Sequence, residues 1–304
     1  MEVIITGMRR SGTTILYDLF YEDQRFDAYY EPFAFGKKDI GGGSGLRKVS
    51  FMDKLNQRRK EFLEQYDPQQ TPEIFNLGAP TDLRKEMNRS IPDIHSQYLQ
   101  YLASENTYTL FKFVRLFNKL PEMHKIFPDA RVIHILKDPR RIAFSHVIGS
   151  KEPKDKFIRL RHRVKRRYQR AFFFQVKKGF NFWSAENMIN VIIDEWQGYH
   201  SFKGAPAFEK VMLLWKIIND QIVKDGQAYF GDNFMSVKHE ELCTHPAQTL
   251  ERIYDCVGMN LPENVRVLGT SNLKPPRQIF KRKNKNWSRA AQRTRIDLSE
   301  WEQY

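Results

Sequence analysis

Eight residues near the start of the chain, Gly7-Met8-Arg9-Arg10-Ser11-Gly12-Thr13-Thr14, carry the pattern with the most chemical content. Two glycines at this spacing let a tight turn wrap backbone N–H groups round an anion, and a helix starting behind them adds its positive end. That is the form of a phosphate-binding loop. A nucleoside-triphosphate loop would place Lys and then Ser or Thr after the second glycine, for the β/γ-phosphates and Mg²⁺. Here Thr13 and Thr14 stand in those places, and the positive charge lies upstream on Arg9 and Arg10. The loop therefore suits a 5′-phosphate whose terminal group is not handled by a lysine with magnesium. Arg9, Arg10, Ser11, Gly12, Thr13 and Thr14 are its candidate ligands.

A second anion site is readable further on. Lys137 ends an apolar run, Asp138-Pro139 opens a helix, and Ser145 falls two turns into it. Lys137 and Ser145 can then offer a charge and a hydroxyl to one phosphate. A nucleotide with phosphates at both ends needs two separated cationic sites, whereas a triphosphate needs one cluster plus metal carboxylates. No His, Cys, Asp or Glu cluster has ligand spacing, and His239 and His245 flank a strand–helix junction without forming one. No metal is expected.

The elements that must position these residues alternate. A β-branched strand, Glu2 to Thr6, precedes the loop, and Thr13 to Tyr21 has apolar residues at helical spacing. A short strand at Ala28–Tyr30 ends at Glu31-Pro32, and a glycine-rich stretch, Gly36 to Gly45, follows. Helices are predicted at Phe51–Tyr66 and Ile94–Ser104, a strand at Thr109–Val114, a helix at Lys119–Phe127 and a strand at Arg131–Leu136. Beyond these come helices at Arg140–Ile148, Lys151–Lys178 and Phe208–Lys224, a strand at Phe234–Lys238 and a helix at Pro246–Val257. Strands alternating with helices predict an α/β fold, a single P-loop-type domain with a central parallel sheet flanked by helices. Ligands of such sheets bind beyond the carboxyl ends of the strands, where the loop after Thr6 lies.

Composition agrees with an ordered protein. Of 304 residues 41% are hydrophobic and 28% charged, so disorder is excluded. Two cysteines make no disulfide framework, and neither a membrane span nor a signal peptide is legible, so a cytoplasmic protein is expected. The net charge of +14 is localised. Ser150–Lys178 carries 12 basic and 2 acidic residues, and Lys274–Arg295 carries 9 basic and no acidic ones. Together these exceed the total, so the remainder of the chain is net acidic.

Arg10-Ser11-Gly12-Thr13-Thr14 resembles the 5′-phosphosulfate loop of sulfotransferases that use 3′-phosphoadenosine 5′-phosphosulfate (PAPS), and with Arg at its head resembles the carbohydrate branch most. Tyr30-Glu31-Pro32 is similar to the family's Glu-Pro element, and Leu110-Phe111-Lys112-Phe113-Val114-Arg115 to its next core strand. Val132 to Arg140 with Ser145 resembles the 3′-phosphate motif, although Lys137 stands where Arg is usual. Val237 to Leu242 and Tyr254 to Met259 resemble the late strand and helix. The resemblance covers residues 2 to about 262. Residues 150–205 follow no acceptor pattern and read as a basic helical insertion, and 270–296 as a basic C-terminal loop.

The resemblance implies transfer of a sulfuryl group from PAPS to an acceptor hydroxyl, on a carbohydrate or glycolipid, in line and with a carboxylate base. Such chemistry needs positioning, cations at the leaving group and a base for the hydroxyl. Arg10 is the expected cation, Lys112 a second one that reaches the sulfuryl oxygens, and Glu31 the base, with His146 and Asp82 as fallbacks. Pro32 biases Glu31 toward an extended backbone. A structural ion pair with Arg9 or Arg115 is the plainer role for Glu31, and a rim salt bridge for Lys112. Lys283, with Arg282 and Lys285, is expected at the 3′-phosphate, and Trp287 either stacks there or packs.

Three readings stay open for the basic helix at 151–178. Its apolar stripe, Phe157, Leu160, Val164, Tyr168, Ala171 and Phe172, docks it on the protein with the charges solvated; or it forms a cationic wall for an anionic glycan or glycolipid acceptor; or it meets nucleic acid. A membrane surface also fits this pattern. No nucleic acid is needed for the leading function. A P-loop kinase and a non-catalytic anion- or nucleic-acid-binding module are the alternatives.

Overall fold

The computed structural model describes residues 1–33, 52–65, 87–105, 107–149, 156–179, 183–277 and 284–304. The glycine-rich stretch at 36–45, Asp82, Arg282 and Lys283 lie outside the described residues. The described chain gathers into two compact units, Met1–Leu136 with Ile218–Pro276, and Lys137–Ile217 with Arg277–Tyr304.

The first unit holds the sheet. Its strands are β1 (Glu2–Thr6), β2 (Phe26–Tyr30), β3 (Tyr108–Phe113), β4 (Arg131–Leu136) and β5 (Phe234–Lys238). They lie in the order β2-β3-β1-β4-β5, all parallel, so β1 is central and the loop after it leaves from the middle of the sheet. Short β-branched runs such as Val3-Ile4-Ile5 pack on both faces, as a central parallel strand requires. Val3, Ile5, Leu110, Ile133, Ile135 and Val237 share one face. Against that face lie α1 (Thr13–Tyr21) and, from late in the chain, the residues Leu250, Ile253 and Tyr254. Ile5 registers with Lys112, as Tyr30 does, so Tyr30 and Lys112 belong to the same face at the strands' carboxyl ends.

Before β4 this unit also holds the helices α2 (Met52–Leu63), α3 (Asp93–Ala103) and α4 (Leu120–Ile126). The chain passes next into the second unit through α5 (Pro139–Ile148), α6 (Lys156–Ala171), α7 (Trp183–Glu195) and the first half of α8 (Ala207–Phe230). After β5 come α9 (His239–Thr244), α10 (Pro246–Val257) and α11 (Glu263–Asn272), again in the first unit. The last helix, α12 (Lys285–Thr294), belongs to the second.

The C-terminal region differs from the sequence expectation. The segment read as a basic C-terminal loop contains α12. Trp287, Ala290, Ala291 and Thr294 recur at helical spacing and are buried, and the Asn284 side chain caps the start by accepting from the Asn286 N–H at 2.9 Å. Basic residues between them obscure that period. Trp287 packs rather than stacking on a ligand from a loop: its ring lies 5.5 Å from Phe173, 5.2 Å from Phe174 and 5.3 Å from Phe208.

Candidate donor site

The loop is built by two left-handed backbone positions. Arg10 has φ 84° and Gly12 φ 107°, and between them the Ser11 N–H donates to the Met8 carbonyl at 2.9 Å. Gly12 serves as the N-cap of α1, where its carbonyl accepts from Ile15 and Leu16. Among the described residues the N–H groups of Gly12, Thr13 and Thr14 have no backbone acceptor, as expected at a helix start. A Cβ on Gly7 would lie 2.6 Å from the Ile135 carbonyl oxygen, and one on Gly12 would lie 2.1 Å from His239 Cδ2. Both glycines are therefore demanded by close approach. A non-glycine residue held at positive φ stores strain, and Arg10 is a residue the sequence marks for charge work.

The polar groups here are poised for an anion. Ser11 Oγ and Arg10 Nε are buried without a hydrogen-bond partner among the described residues. Partial burial and then the neighbouring charge of Arg9 lower the Arg10 pKa; desolvation and then Arg115 lower that of Arg9. Cations gathered closely enough to repel one another, with orphaned donors among them, fit an anionic group. The residues present fit the phosphosulfate end of a PAPS-type donor.

Glu31 and Lys112 meet at the neighbouring strand ends. Lys112 Nζ donates to Glu31 Oε1 at 2.6 Å, and the Glu31 N–H donates to the Lys112 carbonyl at 2.9 Å. The Val114 N–H approaches Glu31 Oε2 at 3.4 Å. The expected extended backbone at Glu31 is not what forms: its φ is 49°. The β2–β3 ladder runs on through the Glu31 N–H, and the left-handed turn accompanies a carboxylate folded back onto Lys112. That pull outweighs the bias from Pro32.

Tyr30 joins the two halves, and the sequence assigns it no role. Its ring lies under Lys112 Nζ at 4.1 Å, and its hydroxyl is 3.1 Å from Thr14 Oγ1. His239 is a second residue without an expected role here; its ring fills the space over Gly12. Glycine in the loop and histidine after β5 are far apart in sequence, so only the sheet order reveals their contact.

Lys137 and Ser145 lie in the second unit, both half-buried. The Lys137 carbonyl accepts from Trp215 Nε1 at 2.9 Å. The Asp138 carboxylate caps α5 through the Arg140 N–H at 2.8 Å and holds the Arg140 guanidinium, with both side chains almost fully buried. His146, a fallback base, is buried within α5. Among the described residues no group of three or more His, Cys, Asp or Glu gathers as a metal site.

A parallel sheet, a glycine turn with orphaned donors and a cation–carboxylate pair beside it make an α/β protein suited to holding an anion. Residues 2–192 match the family model described as Sulfotransferase family, and the chain belongs to that family. It is an enzyme that moves a sulfuryl group from a PAPS-type donor. Sulfotransferase STF9 from Mycobacterium avium has a similar fold, with a TM-score of 0.50 and 13% identity over 99% of this chain and 76% of that one. A sulfotransferase from Alicyclobacillus acidocaldarius gives a TM-score of 0.45 and 15% identity over 98% and 97%. No curated protein matches the chain in sequence.

Proposed function

We propose that the acceptor is a hydroxyl on a carbohydrate or glycolipid, that the donor is PAPS, and that Arg10, Glu31 and Lys112 carry the chemistry. The observation behind this is the Lys112–Glu31 pair, linked through Tyr30 to a loop whose Arg10 and Ser11 have unused donors. PAPS supplies the sulfuryl group and a stable phosphate leaving group. The loop N–H groups, Ser11 and Arg10 bind and orient its 5′ end, and Arg10 opposes the charge that grows on the leaving phosphate. Glu31 takes the proton of the acceptor hydroxyl on its carboxylate. Lys112 holds that carboxylate until acceptor arrives, and its ammonium is then available to sulfuryl oxygens. Lys137 and Ser145 are assigned to the 3′-phosphate by charge and spacing, and Lys283 by charge.

Glu31→Gln is expected to lower kcat about 10²–10⁴-fold with adenosine 3′,5′-bisphosphate affinity nearly unchanged. Arg10→Ala is expected to weaken both affinity and turnover. Radiolabelled donor with an array of glycans, glycolipids and phenols reads turnover; thermal shift with the bisphosphate in the absence of magnesium reads affinity. Near-normal turnover of Glu31→Gln removes it as the base, and no stabilisation by saturating bisphosphate removes the donor assignment. Magnesium-dependent stabilisation by ATP would instead favour a kinase.

A further inference from the structure

The helix α6 faces the wrong way for a helix docked by its apolar stripe. Leu160, Val164, Tyr168 and Phe172 are 67%, 64%, 57% and 44% exposed, the largest run among the exposed large apolar side chains of the described residues. The side turned inward is polar. Gln169 is 1% exposed and donates to the Lys178 carbonyl at 3.1 Å, and Arg166 reaches the Gly149 carbonyl at 3.4 Å. The expectation that the stripe packs on the protein is thus overturned at these four residues, and the Phe157 side chain lies outside the described ones. Polar anchors hold this helix, and its apolar side faces solvent.

The arrangement of charge says what covers it. At about 100° per residue the four apolar positions sweep an arc of about 120°. Arg161 falls within that arc, between Tyr168 and Phe172, while Lys165 borders it on one side and Arg163, Arg167 and Arg170 lie on the other, all exposed. No acidic residue occurs between Lys156 and Ala171. Nucleic acid would use the cations and leave the apolar arc unexplained. A second copy would bring two such cationic helices together against their repulsion. An anionic bilayer satisfies both features, since apolar side chains enter the acyl boundary while flanking Arg and Lys meet phosphates.

We infer that α6 is an interfacial helix that seats the protein on an anionic phospholipid surface, with Leu160, Val164, Tyr168 and Phe172 entering the acyl region. No described helix is long and apolar enough to span a membrane, so this contact lies in the plane of the interface. The inference does not rest on the assignment of donor or acceptor.

The full chain is tested with vesicles of phosphatidylcholine alone and of phosphatidylcholine containing phosphatidylglycerol. Co-sedimentation is expected with the anionic vesicles and far less with the neutral ones, declining as salt is raised. The triple variant Leu160→Ser, Val164→Ser, Tyr168→Ser keeps every charge and is expected to partition about tenfold less, with an unchanged melting temperature. In Tyr168→Trp the indole emission is expected to shift blue on binding and to be quenched by brominated acyl chains. Equal binding by the triple variant, or an unquenched indole, overturns the proposal, because the net charge alone then explains adhesion. Absence of binding to anionic vesicles overturns it as well. A concentration-dependent dimer that the triple variant loses would place a second copy on the stripe instead.

Discussion

Gly12 lacks a side chain because its neighbour leaves no room for one. A Cβ would lie 2.1 Å from the His239 ring, and the backbone is at φ 107°. These are two separate penalties, and they separate by mutation. Gly12→Ala is expected to destabilise the protein through both the clash and a backbone cost of about 1–3 kcal/mol. His239→Ala removes the clash and leaves the backbone cost. The double variant should therefore recover part of the lost melting temperature, and no recovery would show that His239 is not the limiting contact. The glycine turn itself was legible because the residues that form it are neighbours in sequence. Tyr30 and His239 were not, because their work depends on strands that meet only in the sheet. Glu31 and Lys112 lie between these cases: their types marked them, but neither the pair they form nor the left-handed turn at Glu31 is written in local spacing.

At the scale of elements, all five strands were readable, since each is a short β-branched or aromatic run closed by a turn or a charged boundary. The first turn of each helix was less sharp: α9 and α11 carried no expectation of their own, α7 was not separated from the expected helical insertion, and α12 was expected as a loop. In α12 the buried positions are Trp287, Ala290, Ala291 and Thr294, and two alanines and a threonine give a weak apolar signal beside Lys285, Arg289 and Arg293. The element is nonetheless anchored by a single large ring in an aromatic cluster, and by Arg293 bonded to the buried Glu209. Trp287→Ala is accordingly expected to cost about 3–5 kcal/mol in urea unfolding. A residue that only covered a nucleotide would lower bisphosphate affinity and leave stability alone. Measuring both quantities on the one variant decides between a packing and a stacking Trp287, and loss of affinity without loss of stability would make Trp287 a stacking residue.

For the molecule as a whole, the charge of +14 belongs to segments rather than to the body, and α6 shows what one of them presents to solvent. Acid adds to that charge, and two buried histidines resist the addition. His134 lies in β4 between Ser236 Oγ at 3.1 Å and Asn219 Oδ1 at 2.9 Å, and burial pushes its pKa down to about 4. His95 in α3 packs edge-on to Phe33 and is likewise lowered to about 4 by burial. The unfolded chain binds these protons near pH 6.5, and the folded chain does not until near pH 4, so between those values the unfolded state holds more protons. Stability therefore rises with pH across that window and is lost as pH falls through it. The loss amounts to about 2 kcal/mol for each histidine at pH 5. Urea unfolding at pH 7 and pH 5 should show this decline in the wild-type chain, and His134→Gln and His95→Gln should each flatten it. The glutamines cannot take up a proton on unfolding, so whatever pH dependence survives in the double variant comes from other groups. A slope as steep in the double variant as in the wild type would mean that neither buried ring governs the acid limit.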